Sequence, residues 1–505
     1  MIEKAFKFLQ SREPVTLSAA AIANIEKARR LVTDFIKQGR TIYGINTGFG
    51  KLASVKIEPQ ELAVLQLNLL HSHACAVGEP IDPDIVALMM WLKIQNLSRG
   101  YSGCSRAVIE KLMELLNNKI YPVVPRRGSV GASGDLAPLA HMCLPLIGEG
   151  EVFYHGNIVT AKELIAENIY QPISLGPKDG LSLINGTQYS TALLLYALYR
   201  VRKIFTLAEL AAAMSVEAAL ATDTPFRREI QDIRGQRGQQ EVARHLRRFL
   251  KNSEIVQSHV NCNKVQDPYS FRCIPQVLGS VLDTIRFVED IVEREIRSVT
   301  DNPLVFPDEG EILSGGNFHA EPLALAADYL TIALTELGNI SERRISILAD
   351  PTMSGLPAFL VDTGGINSGF MIAHVTAAAL CAENRTLSHP AAVESIPTSA
   401  NQEDHVSMAP NAGLKLLQVV ENIRQIVWIE FLAAAQGIDY RKNLASGAGT
   451  KIAYRKIRSL VEHLSQDRLL IEDLRKIDVF FNDEDFFSEI YSLLREPIEK
   501  VCHER

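Results

Sequence analysis

Pro322-Leu-Ala-Leu-Ala-Ala-Asp-Tyr-Leu-Thr-Ile-Ala-Leu-Thr-Glu-Leu-Gly-Asn-Ile340 decides how this chain folds. Its apolar residues recur at Leu323, Ala327, Leu330, Leu334 and Leu337. That four-three alternation fits the seam of a helix bundle, and proline suits the first turn of such a helix. The stretch is long and apolar enough to raise a membrane-span reading, but it carries Asp328 and Glu336. A span would avoid both, so a buried bundle helix is expected.

The same period extends outward from it. Ser18 caps a segment with Ile22, Ile25, Ala28, Val32 and Ile36 on one face, closing at Gly39. Pro275 opens another, lined by Leu278, Val281, Leu282, Ile285, Val288 and Val292. A fourth runs through Leu416, Val420, Ile423 and Val427 and is expected to stop at Gly437. Strand signals are few and short, at Thr41-Ile-Tyr43 and Glu151-Val-Phe-Tyr154. The expectation is a mainly α protein: a mixed N-terminal domain over 1–105 and a long-helix bundle over 106–505. The last fifty residues are charge-rich and are expected to form surface helices. Helices apolar around so much of their circumference need partners beyond one bundle, which predicts a homo-oligomer.

Composition narrows the class. The 505 residues are 47% hydrophobic and 22% charged, ordinary for a soluble globular protein. Fifty-two basic and 59 acidic side chains are interspersed, for a net charge of −7. No basic stripe suggests nucleic acid, and no cationic amphipathic anchor suggests a membrane surface. The opening Met1-Ile-Glu-Lys-Ala-Phe-Lys-Phe8 has no apolar export core, so no export is expected. The seven cysteines (75, 104, 143, 262, 273, 381 and 502) are scattered without paired spacing. Reduced thiols and a cytoplasmic location are the expectation.

Chemistry concentrates in Gly128-Ser-Val-Gly-Ala-Ser-Gly134, followed by Asp135-Leu-Ala-Pro138. Gly134 lacks a Cβ, so its nitrogen can fold back onto the carbonyl carbon of Ala132. Closing that ring with loss of water, then losing the Ser133 hydroxyl as a second water, yields 4-methylidene-imidazol-5-one (MIO). This is an electrophile made without any outside cofactor. Asp135 is a good N-cap residue and Pro138 falls in the first turn, placing the run at the positive end of a helix. Competing readings are weaker in detail. A phosphate loop would need Lys-Ser/Thr, and a serine-hydrolase elbow would need Gly where Asp135 stands.

Polar loops punctuate the apolar helices. Tyr43-Gly-Ile-Asn-Thr-Gly-Phe-Gly50 reads as a lid carrying a phenol, or as a plain turn. His71-Ser-His73 lies near Cys75, but nothing elsewhere has zinc-ligand spacing, so no metal is expected. Leu183-Ile-Asn-Gly-Thr187 offers Asn185 as an amide clamp or an Asn-Gly turn. In Val265-Gln-Asp-Pro-Tyr-Ser-Phe-Arg272, Tyr269 and Arg272 share a helical face, and arginine is the natural fork for a carboxylate. Gly315-Gly-Asn-Phe-His-Ala320 supplies Phe318 as an aromatic wall, and Asn401-Gln-Glu-Asp-His405 supplies two acids and a histidine.

From about Tyr43 to about Asp439, in matching order through these loops, the chain resembles the MIO-dependent aromatic amino acid ammonia-lyases, bacterial histidases in particular. Arg234-Gly-Gln-Arg-Gly-Gln239, Ser341-Glu-Arg-Arg-Ile345 and Asn367-Ser-Gly-Phe370 also belong to the resemblance. It implies an L-aspartase/fumarase-like helical superfold and a homotetramer with active sites shared between subunits. It further implies an MIO formed from Ala132, Ser133 and Gly134, and deamination of L-histidine to trans-urocanate. Tyr43 is then the best candidate for the β-proton base, with Tyr269 the other catalytic tyrosine. Arg272 pairs with the substrate carboxylate, helped by Asn185. Tyr269 and Gln266 sit beside MIO and the amine, and Phe318 packs the ring.

The need for an electrophile is physical. Acid–base catalysis contributes about 10²–10⁴-fold, short of the 10⁶-fold or more enzymes typically supply. For the substrate, His73 and Glu403 suit a titratable imidazole. A tyrosine or phenylalanine ammonia-lyase or aminomutase is the rival, and a carboxylate at Glu403 argues against it. A non-enzymatic helical scaffold would need none of the polar loops.

Overall fold

The computed structural model describes residues 1–48, 54–260, 264–441 and 443–495. It is mainly helical, with a few short strands, and divides into two compact units. The first comprises Met1–Tyr199, Phe287–Asp328 and Pro390–Leu417; the second comprises Arg200–Arg286, Tyr329–His389 and Gln418–Arg505. The division expected after residue 105 falls inside the first unit. Four long helices, Gln188–Ala218, Ile274–Arg297, Glu321–Ala349 and Ala409–Asp439, supply residues to both.

In the first unit, Ser18 accepts from the Ala21 amide and starts the Ala19–Lys37 helix as its cap residue predicts. The Pro83–Leu97 helix begins the same way, with Asp82 accepting from Asp84 N–H and Pro83 in the first turn. Nearly every residue of that helix is buried, including Lys93. Glu151–Tyr154 is indeed a strand. It pairs antiparallel with Asn157–Thr160 in the register Glu151 to Thr160, and with Tyr121–Pro122 on its other edge. Thr41-Ile-Tyr43 is not a strand. The Asn46 side chain takes the Ile42 N–H at 2.7 Å and donates to Arg40 O at 2.8 Å, satisfying locally what a neighbouring strand would have satisfied.

The decisive 322–340 stretch lies within Glu321–Ala349, and Leu323, Ala327, Leu330, Leu334 and Leu337 are all buried. By length and composition alone this helix could cross a membrane, but two-thirds of its most apolar window is buried inside the protein (67%). Asp328 is buried and paired, accepting from Ala392 N–H at 2.8 Å and facing Lys415 Nζ at 3.3 Å.

The second unit packs helices closely through glycine. A Cβ on Gly437 would lie 2.8 Å from Ala218 Cβ, so this glycine serves close approach and the helix runs on to Asp439. Arg344 and Glu430, both fully buried, form a two-point pair, and Ser215 and Ser341 also donate to the same carboxylate. The helices after residue 448 are less superficial than their charge suggested. Phe480, Phe486, Phe487 and Ile490 are buried, and the Phe480 ring meets Trp428 edge-on at 5.9 Å.

Candidate active site

The Gly128–Gly134 run is held against two other segments of the first unit. Asp135 N–H donates to Gly186 O at 2.8 Å, joining it to the Asn185-Gly186 turn. Met408 N–H donates to Val130 O at 2.8 Å and Ser407 Oγ to Gly131 O at 2.9 Å, joining it to the segment after Glu403. Gly134 has φ +78° and lies so close to Gly186 that a Cβ would stand 2.4 Å from its carbonyl oxygen. No other residue fits there.

Asp135 occupies the cap position of the Leu136–Cys143 helix, but its side chain does not cap it. It turns inward instead, accepting from Ser190 N–H at 2.8 Å, Ser190 Oγ at 3.0 Å and Ser129 Oγ at 3.1 Å. Burial pushes its carboxyl up to about 6, against the pull of those donors. Pro138 does fall in the first turn of that helix.

A cavity of about 1010 Å³ opens over this run, lined among others by Tyr43, His73, Ser133, Asn185, Phe318 and Glu403. Asn185 Nδ2 donates to Ser133 O at 3.1 Å, while Asn185 Oδ1 is buried without a partner. Leaving such an acceptor unmet costs about 1–3 kcal/mol. Ser133 Oγ donates to Glu403 Oε1, and Thr398 Oγ1 donates to Glu403 Oε2 at 2.7 Å. Burial lowers the His73 pKa, opposed by the Leu69 carbonyl and by the charge of Glu403. Its Nδ1 is 2.9 Å from Ser72 Oγ. His71 faces Glu149 at 3.0 Å. Among the described residues no three histidine, cysteine, aspartate or glutamate side chains group as a metal ion would need.

The Tyr43 loop is tied locally where it is described: Gly44 N–H donates to Thr47 Oγ1 at 3.0 Å and Gly48 N–H to Val55 O at 3.0 Å. Its Phe49 and Gly50 lie outside the described residues, as do Cys262 and Cys502. Beside Phe318, His319 accepts from Glu321 N–H at 3.3 Å on Nδ1, so Nε2 carries the proton toward His405 O at 3.2 Å.

Gln266 and Arg272 do not line this cavity. With Asp267 they line a second one, of about 610 Å³, in the second unit. Tyr269 and Arg272 do share a helical face, the guanidinium lying 4.8 Å from the ring centroid, and Tyr269 is 71% exposed. Arg272 Nε is buried without a partner. Sequence reasoning missed Thr398, Ser407 and Lys93. Only Lys93 carried a visible signal, as the single cation in the Pro83–Leu97 helix, flanked by apolar residues.

Residues 1–459 match the family model for the aromatic amino acid lyases. The chain belongs to the aromatic amino acid lyase family. It is similar to histidine ammonia-lyase of Vibrio cholerae, with 53% identity over 92% of both chains. Among solved structures it is similar to histidine ammonia-lyase from Trypanosoma cruzi, with TM-score 0.90 and 40% identity over 98% of this chain and 94% of that one. It is also similar to a tyrosine aminomutase from Streptomyces globisporus, with TM-score 0.92 and 33% identity over 99% and 98%. An aromatic amino acid lyase fold is therefore common to relatives of different named activity, and side chains in the cavity must separate them.

Proposed function

We propose that this aromatic amino acid lyase is a histidine ammonia-lyase, converting L-histidine to trans-urocanate and ammonia. The observation that carries the reading is Glu403, a carboxylate within the Ser133 cavity whose charge reaches His73. An imidazole substrate needs polar partners, one of them acidic. A phenyl ring offers nothing to a carboxylate in that place, and a phenol offers one neutral O–H donor where an imidazole can also carry a positive charge. The names of the relatives in Vibrio cholerae and Trypanosoma cruzi support the same substrate.

Ala132-Ser133-Gly134 fits the MIO group. The left-handed backbone at Gly134, the amide of Asn185 on the Ser133 carbonyl and the hydroxyl of Ser133 directed at a carboxylate all favour it. That group supplies the electron sink for expelling the amine. The remaining work falls to side chains. Tyr43, in the cavity lining, takes the β-proton. Asn185 orients the substrate, Phe318 packs its ring, and His73 with Glu403 hold the imidazole.

Gln266, Tyr269 and Arg272 are proposed to enter the site of a neighbouring subunit in a homotetramer, where Arg272 forks onto the carboxylate. The exposure of Tyr269 supports this, as do apolar side chains left open on the bundle helices, such as Tyr329, Ile372 and Val375. A cytoplasmic location accords with Cys75, Cys104, Cys143, Cys273 and Cys381, all free thiols.

Incubating the purified protein with histidine, tyrosine and phenylalanine, and following the ultraviolet absorbance of the product, tests the reading. Urocanate from histidine alone is the expected result. A cinnamate-type product would transfer the assignment to the rival ammonia-lyases, and a β-amino acid to the aminomutases. Intact mass gives a separate check, since a chain not lighter by two waters contains no MIO.

A further inference from the structure

Lys93 is an oddity in the first unit. It sits in the Pro83–Leu97 helix among Met89, Met90, Trp91, Leu92 and Ile94, and is 0% exposed. Among the described residues no carboxylate lies within 4 Å of its ammonium. The nearby buried acid Asp301 is taken by Lys178 at 2.9 Å. Lys93 Nζ instead donates to two backbone carbonyls, Asn185 O at 2.7 Å and Ser182 O at 3.2 Å. A buried cation without a salt bridge is costly, and a methionine would fill the same volume without that cost. Something at its tip must offset the penalty.

That tip touches the active-site turn. The carbonyl of Asn185 accepts from Lys93, while the side chain of the same residue donates to Ser133 O at 3.1 Å. The next carbonyl along, Gly186 O, accepts from Asp135 N–H at 2.8 Å. One ammonium thus anchors the turn that presses on Ala132-Ser133-Gly134 and directs an amide at the Ser133 carbonyl. A positive charge behind that amide also strengthens it as a donor when electron density builds at the carbonyl it faces.

We propose that Lys93 is a positioning residue for the deamination, acting through Asn185 to hold and polarise the Ser133 carbonyl. The proposal rests on the lyase reading given above. Its charge state matters, and several groups face it. Asp301 favours the ammonium, Lys178 opposes it, Cys143 and Cys104 face it with thiols that burial pushes up to about 12, and Asp135 feels its charge. Burial dominates and lowers the amine to about 8. The ammonium is therefore complete below about pH 8 and is lost as pH rises through that value.

The test compares the unaltered chain with Lys93→Met and Lys93→Arg. Lys93→Met should still be lighter by two waters, yet kcat should fall about 10- to 100-fold, as for other outer-shell supports, with KM little changed. In substrate-free protein the ultraviolet absorbance of the mature tripeptide should shift with a midpoint near about 8 in the unaltered chain and show no such shift in Lys93→Met. Unchanged kcat, or a shift that persists in Lys93→Met, would overturn the proposal. If Lys93→Met does not fold, Lys93→Arg decides. A guanidinium does not titrate in this range, so the absorbance shift should vanish while most activity remains. A persisting shift there overturns the proposal. Absence of urocanate from the unaltered chain identifies a failure of the substrate reading instead.

Discussion

Thr398 and Glu403 close on each other at three points. Thr398 N–H donates to Glu403 O at 2.9 Å, Glu403 N–H to Thr398 O at 3.3 Å, and Thr398 Oγ1 to Glu403 Oε2 at 2.7 Å. Between them Ser399, Ala400 and Asn401 have φ of 52°, 52° and 64°. Left-handed backbone costs a non-glycine residue about 1–2 kcal/mol. The three hydrogen bonds that close the loop hold this run in place, with Glu403 lining the cavity.

Thr398→Val removes the hydroxyl and keeps the shape. A hydrogen bond to a charged group is worth about 1.5–3 kcal/mol, so kcat/KM for histidine should fall about 10- to 100-fold. Thr398→Ser should recover most of it. Steady-state kinetics on both variants check this, and equal losses in the two would contradict a role for the hydroxyl.

Glu403→Gln preserves an acceptor for Ser133 but removes the charge that suits imidazole. Histidine turnover should fall about 100-fold or more, since charge-assisted hydrogen bonds are roughly twice as strong as neutral ones and proton handling is lost too. Intact mass should still be lower by two waters. Turnover at the unaltered rate would remove Glu403 from the reaction.

Gly134→Ala places a Cβ 2.4 Å from Gly186 O on a backbone with φ +78°. The tripeptide should fail to condense, leaving the full mass of the unmodified chain and no measurable deamination. Detection of the two-water loss in this variant would contradict the steric argument.

Arg344→Met strands Glu430, which is fully buried and would retain only Ser215 and Ser341 as side-chain donors. Breaking a buried pair from one side costs about 3–5 kcal/mol. A marked drop in Tm is expected, and a change within experimental scatter would count against the pair. The double variant Arg344→Met with Glu430→Leu should recover part of the loss.

His73 has a lowered pKa, because burial outweighs the raising influences of the Leu69 carbonyl and Glu403. It is therefore neutral at pH 7. The unfolded chain binds a proton there more readily, near about 6.5, so this group favours the folded state fully above that pH. Its contribution is lost as pH falls through the lowered value. Thermal denaturation followed from pH 7 to about pH 5 should show a shallower loss of stability in His73→Gln than in the unaltered chain. Identical slopes would remove this contribution.

Much of the fold was legible because helix periodicity is local. Ser18, Pro275 and the 322–340 seam each act on residues within a few turns, and all lie where their spacing predicts. Misreadings came where tertiary contacts overrode local preference. Gly437 reads as a terminator but permits close packing, Asp135 reads as a cap but turns to Ser190, and Ile42 finds a side chain in place of a strand.

The sequence alone determined the helical period, the glycine-flanked Ala132-Ser133-Gly134 run and the residue types able to meet an imidazole. These follow from side-chain chemistry and from near neighbours along the chain. Only the tertiary structure decided that Ser133 meets a carboxylate 270 positions away and that Lys93 anchors the Asn185 turn behind it. It also set Gln266 and Arg272 around a separate cavity. No periodicity encodes such meetings, because they depend on the path of the whole chain and on burial that makes each unmatched polar group expensive.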